Sequence, residues 1–512
     1  MSTEIELKYL VADLDVADRF TALLTDKQLL HTHTTRHLSN TYFDTQARSL
    51  RSFDMGLRVR RVGDYTEQTI KTAGTTIGGL HQRPEYNVEI DDTFPTLSLF
   101  PSEIWPENAS VEDLQKELVS VFSTNFTREC WQVIIGDSEI EVAYDHGKIE
   151  SQGQTLDINE IELELVKGER DAIFTLAELL IDRFNVTAGT ESKAARGYKL
   201  WQQGLVEEDE STQESQTFSD SLDNRDIEQV SLSASLSVEK AMLIGLEQGL
   251  RSLQQAIAST IQTPTLPNLK CVFQALTFID HGFSLHQELI EQDKFDRFTS
   301  LVKESMESFS WLESAIHIND LTLRSGHYRK KLEYSNQLVS TLKLERSRFP
   351  NEQEIKQLLS GKVINLLQLK LLKFILSPVV KPSEKPRVIE DFSRSNLEKS
   401  LKALVSISGN KHELDSLEFI VMQHHLYSSL LTGSWYGSLF NGELRAEYRR
   451  QWLDVFYGIE ELATLSLLQQ QLNAIDAIPD KLVRWLANKI ENLVMVINQS
   501  YQSAIQVEPY WR

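Results

Sequence analysis

Over its first two hundred residues this chain alternates polar and apolar side chains, and after an acidic interruption the apolar residues recur at helical spacing. One core cannot serve both periods, so this switch constrains the fold more than any other feature. The stretch TEIELKYLV sets Glu4, Glu6 and Lys8 against Ile5, Leu7 and Tyr9. Similar alternation predicts strands over 4–11, 39–44, 57–62, 65–72, 82–91, 131–135, 139–145 and 158–166, joined by turns such as VGDY and TAGTTIGGL. Segments 14–24 and 170–184 read as helices. Residues 205–229 are acidic and rich in Ser and Gln, too poor in apolar side chains to offset the entropy of ordering. Beyond them, Leu243, Leu246, Leu250, Leu253 and Ile257 step by three or four, as do Ile364, Leu367, Leu371 and Phe374, and Leu486, Ile490, Leu493 and Ile497. The expected class is multidomain α+β. An antiparallel sheet or barrel fills 1–204, an acidic linker 205–229 and an all-α bundle 230–512, which suits a chain of 512 residues.

Charge narrows the function. Of the net −22, residues 1–204 carry −14 (20 Lys and Arg against 34 Asp and Glu), the linker −8 (1 against 9) and the remainder zero (31 against 31). A nucleic-acid partner is not expected, since affinity for it depends on a broad basic surface. The most apolar run, 363–380, contains Lys370 and Lys373 and reads as a core helix, so no membrane partner is expected either. Two distant cysteines, Cys130 and Cys271, read as small buried hydrophobes in a reducing compartment, which places the chain in the cytoplasm.

The charged alternation repeats by sign. Arg58 and Arg60, Lys71, and Arg83 mark basic strands, while Glu4 and Glu6, and Glu160, Glu162 and Glu164, mark acidic ones. On an ordinary half-buried strand the charged face meets water, and that explains any one segment. A closed sheet explains the set, because one face of every strand then points into a shared lumen. Clustered carboxylates suit Mg²⁺ or Mn²⁺, and Arg forks with Lys point charges suit phosphate oxygens. Together they describe a site for a metal-bound chain of phosphates. Charged strand faces without a row of aromatic side chains favour a substrate that lacks a ring.

With TYFDT, GLRVR, TIKTAG, GGLHQRPEYNVEI, VAYDHGKIE, EIELELVKG and ESKAARGYKL in order around the Glu4-x-Glu6-x-Lys8 motif, residues 1–202 resemble the CYTH domain of the triphosphate tunnel metalloenzymes. The helical half adds a resemblance to bacterial inorganic triphosphatases that fuse this domain to a CHAD domain. The resemblance implies an eight-stranded antiparallel tunnel in which Glu4, Glu6, Glu162 and Glu164 bind Mg²⁺ or Mn²⁺. It implies that Lys8, Arg58, Arg60, Lys71, Arg83 and Arg128 hold the triphosphate, with Lys193 and Arg196 extending the clamp. Glu162, Glu164 and Lys8 would carry the catalysis. Glu85, Asp145 and Glu160 could orient neighbouring arginines; direct metal or water contact stays open for Glu85 and Glu160, and Asp145 suits a structural salt bridge. The implied reaction is hydrolysis of inorganic triphosphate to pyrophosphate and phosphate. Thiamine or nucleoside triphosphates, cyclisation of ATP, and a non-catalytic polyphosphate-binding module remain alternatives. In the CHAD-like half the basic rows are eroded: Lys270, His281 and His286, then His412, His424 and His425, stand without arginines, and a basic cluster of Arg329, Lys330, Lys331, Lys343, Arg346 and Arg348 reads as a solvated face. That half is expected to be a scaffold or regulatory module, with polyphosphate as a possible ligand.

Overall fold

A computed structural model describes residues 2–13, 15–63, 65–78, 80–107, 109–207, 229–323, 328–332, 336–381, 387–409, 411, 413–473 and 480–512, without the side chains of 2–4, 75, 76, 81, 204–207, 329 and 330. Most of the acidic stretch, 208–228, lies outside the described residues. Contacts divide the chain into two compact units: Met1–Thr217 with Leu359–Lys373, and Phe218–Leu358 with Phe374–Arg512.

The first unit is built on ten strands: β1 (Ser2–Val11), β2 (Leu30–Thr45), β3 (Gly56–Val62), β4 (Tyr65–Lys71), β5 (Thr75–Ile77), β6 (Leu80–Glu89), β7 (Leu118–Ile135), β8 (Ser138–Ser151), β9 (Gln154–Lys167) and β10 (Val186–Ala188). Antiparallel pairing runs β1-β9-β8-β7-β2-β3-β4-β6 and returns to β1, so eight strands close a ring. β10 adds to β1 beyond its pairing with β6, and β5 adds to β6. TAGTTIGGL is therefore not only a turn, for β5 lies within it. Several strands outrun their alternation, above all β2 and β7, whose antiparallel pairing continues from Leu30 opposite Ile134 to Thr45 opposite Leu118.

The register explains the alternation. Glu6 faces Glu164 and Lys8 faces Glu162 on one side of the sheet, while Leu7 faces Leu163 and Tyr9 faces Ile161 on the other. The apolar side lies outside the ring, beneath α1 (Val16–Asp26) and α4 (Asp171–Arg183); two short helices, α2 (Ser49–Ser52) and α3 (Val111–Glu117), fall between these. Phe20 of α1 meets Trp131 edge-on at 5.0 Å, and the Trp131 indole N–H donates to Thr21 (3.0 Å). Ile173, Leu176, Ala177 and Leu180 of α4 are buried completely. Burying such side chains contributes roughly 1.5–3 kcal/mol each, enough to hold a sheet whose inner face is polar. One end of the lumen is filled by Phe126, Ile149 and Ile158, over which α5 (Lys193–Glu207) packs Tyr198, Leu200 and Trp201.

The second unit is helical, with α6 (Val238–Gln262), α7 (Leu266–Leu285), α8 (Gln292–Glu307), α9 (Leu312–Thr322), α10 (Arg329–Leu332), α11 (Asn336–Arg346), α12 (Glu352–Ser360), α13 (Lys362–Leu376), α14 (Ile389–Ser406), α15 (Ser416–Tyr436), α16 (Gly442–Asn473) and α17 (Asp480–Gln506); the Leu359–Lys373 portion counts with the first unit. Trp435 of α15 is fully buried against Gly245 and Gly282, where a Cβ would lie 1.9 and 2.2 Å from its ring. Among the described residues no helix is long and apolar enough to cross a membrane. Cys130 and Cys271 are free and half-buried, not fully buried as expected.

Candidate functional site

The lumen of the β ring holds a cavity of about 340 Å³. Period-two geometry brings its walls together from distant sequence: Glu6 and Lys8 on β1, Arg58 and Arg60 on β3, Lys71 on β4, Arg83 and Glu85 on β6, Arg128 on β7, Glu162 and Glu164 on β9, and Lys193 on α5 all line it. Glu4 sits on β1 opposite Arg83, but its side chain lies outside the described residues. Arg196, Asp145 and Glu160 lie behind this lining, and the structure ties them to it by ion pairs.

Two electrostatic regions result. On the β8/β9 side, Glu162 accepts from Lys8 (2.8 Å), Lys193 (2.9 Å) and Arg128 (2.8 Å). Asp145, fully buried, accepts both arms of Arg128 at 2.7 Å and lies 2.6 Å from Lys193. Glu160, also fully buried, pairs with Lys193 and Arg196 and lies 3.4 Å from Lys8. Burial would lower Lys8, but Glu160, Glu162 and Glu6 hold its ammonium well above the ordinary range. Burial would likewise raise Glu162, yet Lys193, Lys8 and Arg128 hold it well below the ordinary carboxylate range, and Asp145 is lowered by Lys193 and Arg128 against the same penalty. Ligand oxygens of Asp145, Glu160 and Glu162 come within 4.8 Å of one another, close enough for an ion. In this arrangement, however, four basic side chains already neutralise them, and a divalent cation would have to displace those partners.

On the β3/β4/β6 side the balance is reversed. Glu85 serves both Lys71 (3.0 Å) and Arg58 (3.5 Å); burial would raise its carboxyl, but these two cations bring it down to about 2. Arg83 lies 3.6 Å from Asp54. Arg60 donates from Nε to the amide oxygen of Asn40 (2.7 Å), and burial followed by the nearby Arg58 and Arg128 lowers its guanidinium to about 9. Such a group gains by meeting an anion.

The sequence reading missed several lining residues. Glu141 of β8 pairs in register with Glu164, which in turn pairs with Glu6, so three carboxylates form one rung across β8, β9 and β1. Its signal was visible in SEIEVAYD, where Glu139 and Glu141 alternate. Asn40, Arg51 and Asn87 also line the cavity. Tyr42, Phe126 and Tyr198 also line the cavity, each at most 6% exposed and packed into the ring's end cluster.

In the helical unit, His286 donates from Nδ1 to the Gly282 carbonyl (2.8 Å) and accepts from the Tyr436 hydroxyl (2.8 Å), while His281 contacts Thr432 (2.9 Å). Burial lowers them to about 4 and about 3. Lys270 pairs with Glu460 (3.1 Å). His424 is exposed and His425 half-buried, their rings 5.8 Å apart at 84°. His412 and the side chains of Arg329 and Lys330 lie outside the described residues. Lys331, Lys343, Arg346 and Arg348 are exposed, Arg348 pairing with Glu345 (2.6 Å).

Comparison with known proteins matches residues 2–198 to the CYTH domain. An inorganic triphosphatase of Haemophilus influenzae is 36% identical over 205 residues, which cover 39% of this chain and 55% of the relative, so the match spans about half the length of that curated protein. Among solved structures, a Hippeastrum protein with a dominant triphosphatase activity is 20% identical, covering 39% of this chain and 96% of its own at a TM-score of 0.30. The CHAD domain from Ricinus communis is 12% identical, covering 54% of this chain and 89% of its own at a TM-score of 0.35.

Proposed function

We propose that residues 2–198, which match the CYTH domain, are a domain of that family and that the chain hydrolyses inorganic triphosphate to pyrophosphate and phosphate within the lumen of its β ring. The observation that carries this reading is the division of one cavity between a rung of carboxylates and a group of arginines and lysines on the facing strands. The Haemophilus relative, an inorganic triphosphatase, supports the choice of substrate.

Arg58, Arg60, Lys71, Arg83 and Arg128 would grip the phosphate oxygens, with arginine forks matching pairs of oxygens and Lys71 acting as a point charge. Preorganised by their carboxylate and amide partners, they hold charge where it develops on the transferring phosphorus. Lys193, Arg196 and Lys8 back this clamp through Glu160 and Glu162, and Asp145 and Glu85 orient the arginines. The donor set of Glu6 and Glu164, adjacent carboxylates at the cavity, fits a hard divalent cation, and Glu4 on the same strand is proposed with them. Mg²⁺ or Mn²⁺ bound there would neutralise phosphate charge and acidify a water. Glu162 is a poor proton acceptor with three cations upon it, so Glu164 is the residue proposed to orient and deprotonate the attacking water.

The helical unit is proposed as a scaffold: Lys270 is engaged by Glu460, half-buried His281 contacts Thr432, and His286 is locked in the core. Two free thiols suit the cytoplasm. Phosphate release from tripolyphosphate, ATP and thiamine triphosphate, each with Mg²⁺, Mn²⁺ or EDTA, tests the reading. Rapid EDTA-sensitive release from tripolyphosphate alone is expected; equal rates on ATP would overturn the inorganic substrate.

A further inference from the structure

Seven of the eight basic side chains expected to hold triphosphate have a carboxylate within ion-pairing distance: Lys8, Arg58, Lys71, Arg83, Arg128, Lys193 and Arg196. Among the described residues Arg60 has none. Its Nε partner is an amide, Asn40, itself 1% exposed, whose Nδ2 donates to the hydroxyl of fully buried Thr124 (2.9 Å). The Arg60 bond fixes which end of the amide faces it, because Nε–H can only donate and so requires the amide oxygen, which leaves the NH₂ to donate to the Thr124 hydroxyl.

We propose that Asn40 is a positioning residue that aims Arg60 into the lumen while leaving its charge uncompensated, so that this one guanidinium supplies the net attraction for the triphosphate; this rests on the triphosphatase reading above. Aspartate has the same shape as asparagine and would accept the same Nε–H, but it would cancel the charge before any substrate arrived. Register makes the arrangement possible, since Asn40 of β2 lies opposite Arg60 of β3 on one side and Thr124 of β7 on the other. Arg58 and Arg128 crowd Arg60, and an anion in the lumen would relieve that repulsion.

The test uses the full chain with Asn40→Asp, Asn40→Ala and Thr124→Val. Tripolyphosphate binding is measured calorimetrically in EDTA, KM and kcat with Mg²⁺, and thermal stability alongside. Asn40→Asp is expected to weaken binding and raise KM by about tenfold or more, with kcat changed less than about threefold, as loss of one charge-assisted contact common to ground and transition states requires. Asn40→Ala, which keeps the charge, should lose less affinity than Asn40→Asp although it loses more stability. A merely structural role would rank the two variants oppositely in affinity, and that order, or Asn40→Asp binding like the wild type, overturns the inference. Thr124→Val serves if Asn40→Asp does not fold: a KM rise of about threefold at constant kcat is expected, and an unchanged KM overturns the proposal. A wild-type chain that neither binds nor hydrolyses tripolyphosphate would remove the underlying reading and this inference with it, whereas normal turnover with an indifferent Asn40→Asp removes the inference alone.

Discussion

Glu162 and Glu164 stand two apart on one strand and both line the lumen, yet their surroundings assign them different work. Glu162 neutralises three buried cations, so Glu162→Gln leaves Lys8, Lys193 and Arg128 short of a counter-charge and should cost about 3–5 kcal/mol of stability. Glu164→Gln should lower kcat roughly a hundredfold or more. Thermal unfolding with steady-state kinetics on both variants checks this, and a Glu164→Gln enzyme with full turnover would return the base to Glu162. Alternation in the sequence was enough to find both glutamates, because a charged residue at every second position is visible without a structure. It could not rank them, since the three ion pairs of Glu162 come from β1, β7 and α5, which only the closed ring brings together. Asn40 gave no signal at all: in LSNTYFDT it is one neutral amide among polar residues, and it acquires meaning only from its register with Arg60 and Thr124.

Strands were legible as elements because their period of two survives ring closure; their lengths were not, as the ends of β2 and β7 are paired by backbone hydrogen bonds that any side chain permits. The segment SKAARGYKL was noticed for its charges, but nothing in its spacing announced a helix that closes the lumen. α5 can seat there because Gly197 lies against Phe122, where a Cβ would come within 2.3 Å of the ring. Gly197→Ala should therefore push the helix outward and carry Lys193 and Arg196 with it. The expected result is a loss of about 1–3 kcal/mol and a raised KM for tripolyphosphate. Adding Phe122→Leu, which gives the new methyl room, should bring KM back toward the wild type even though the smaller side chain restores less of the stability. A KM unaffected by Gly197→Ala would show that the position of α5 does not govern the clamp.

At the scale of the whole chain, the two units answer acid by different chemistry. In the helical unit His286 is buried and His281 half-buried, and desolvation brings their values down to about 4 and about 3 from an ordinary 6.5. Between about pH 6.5 and 4 the unfolded chain therefore binds protons that the folded unit refuses, and stability falls as the pH is lowered through that window, by on the order of 3 kcal/mol for His286. In the ring unit the groups shifted within the acid range are carboxylates: Glu85, lowered to about 2, with Asp145 and Glu162 lowered beside their cations. A depressed carboxylate adds stability that is present above its unfolded value, near pH 4, and is lost only as the pH drops toward its folded one. The helical unit should accordingly begin to open below about pH 6, and the ring only below about pH 4. Hydrogen exchange followed peptide by peptide across that range checks the order, with α7 expected to lose protection before β8 and β9. Replacing His286 by Phe removes one of the two titrating groups along with its bonds to Gly282 and Tyr436, so it should lower stability at pH 7 while flattening the decline between pH 6 and 4. If the ring opened first, the buried ion pairs of the lumen, and not the two histidines, would set the acid limit of this protein.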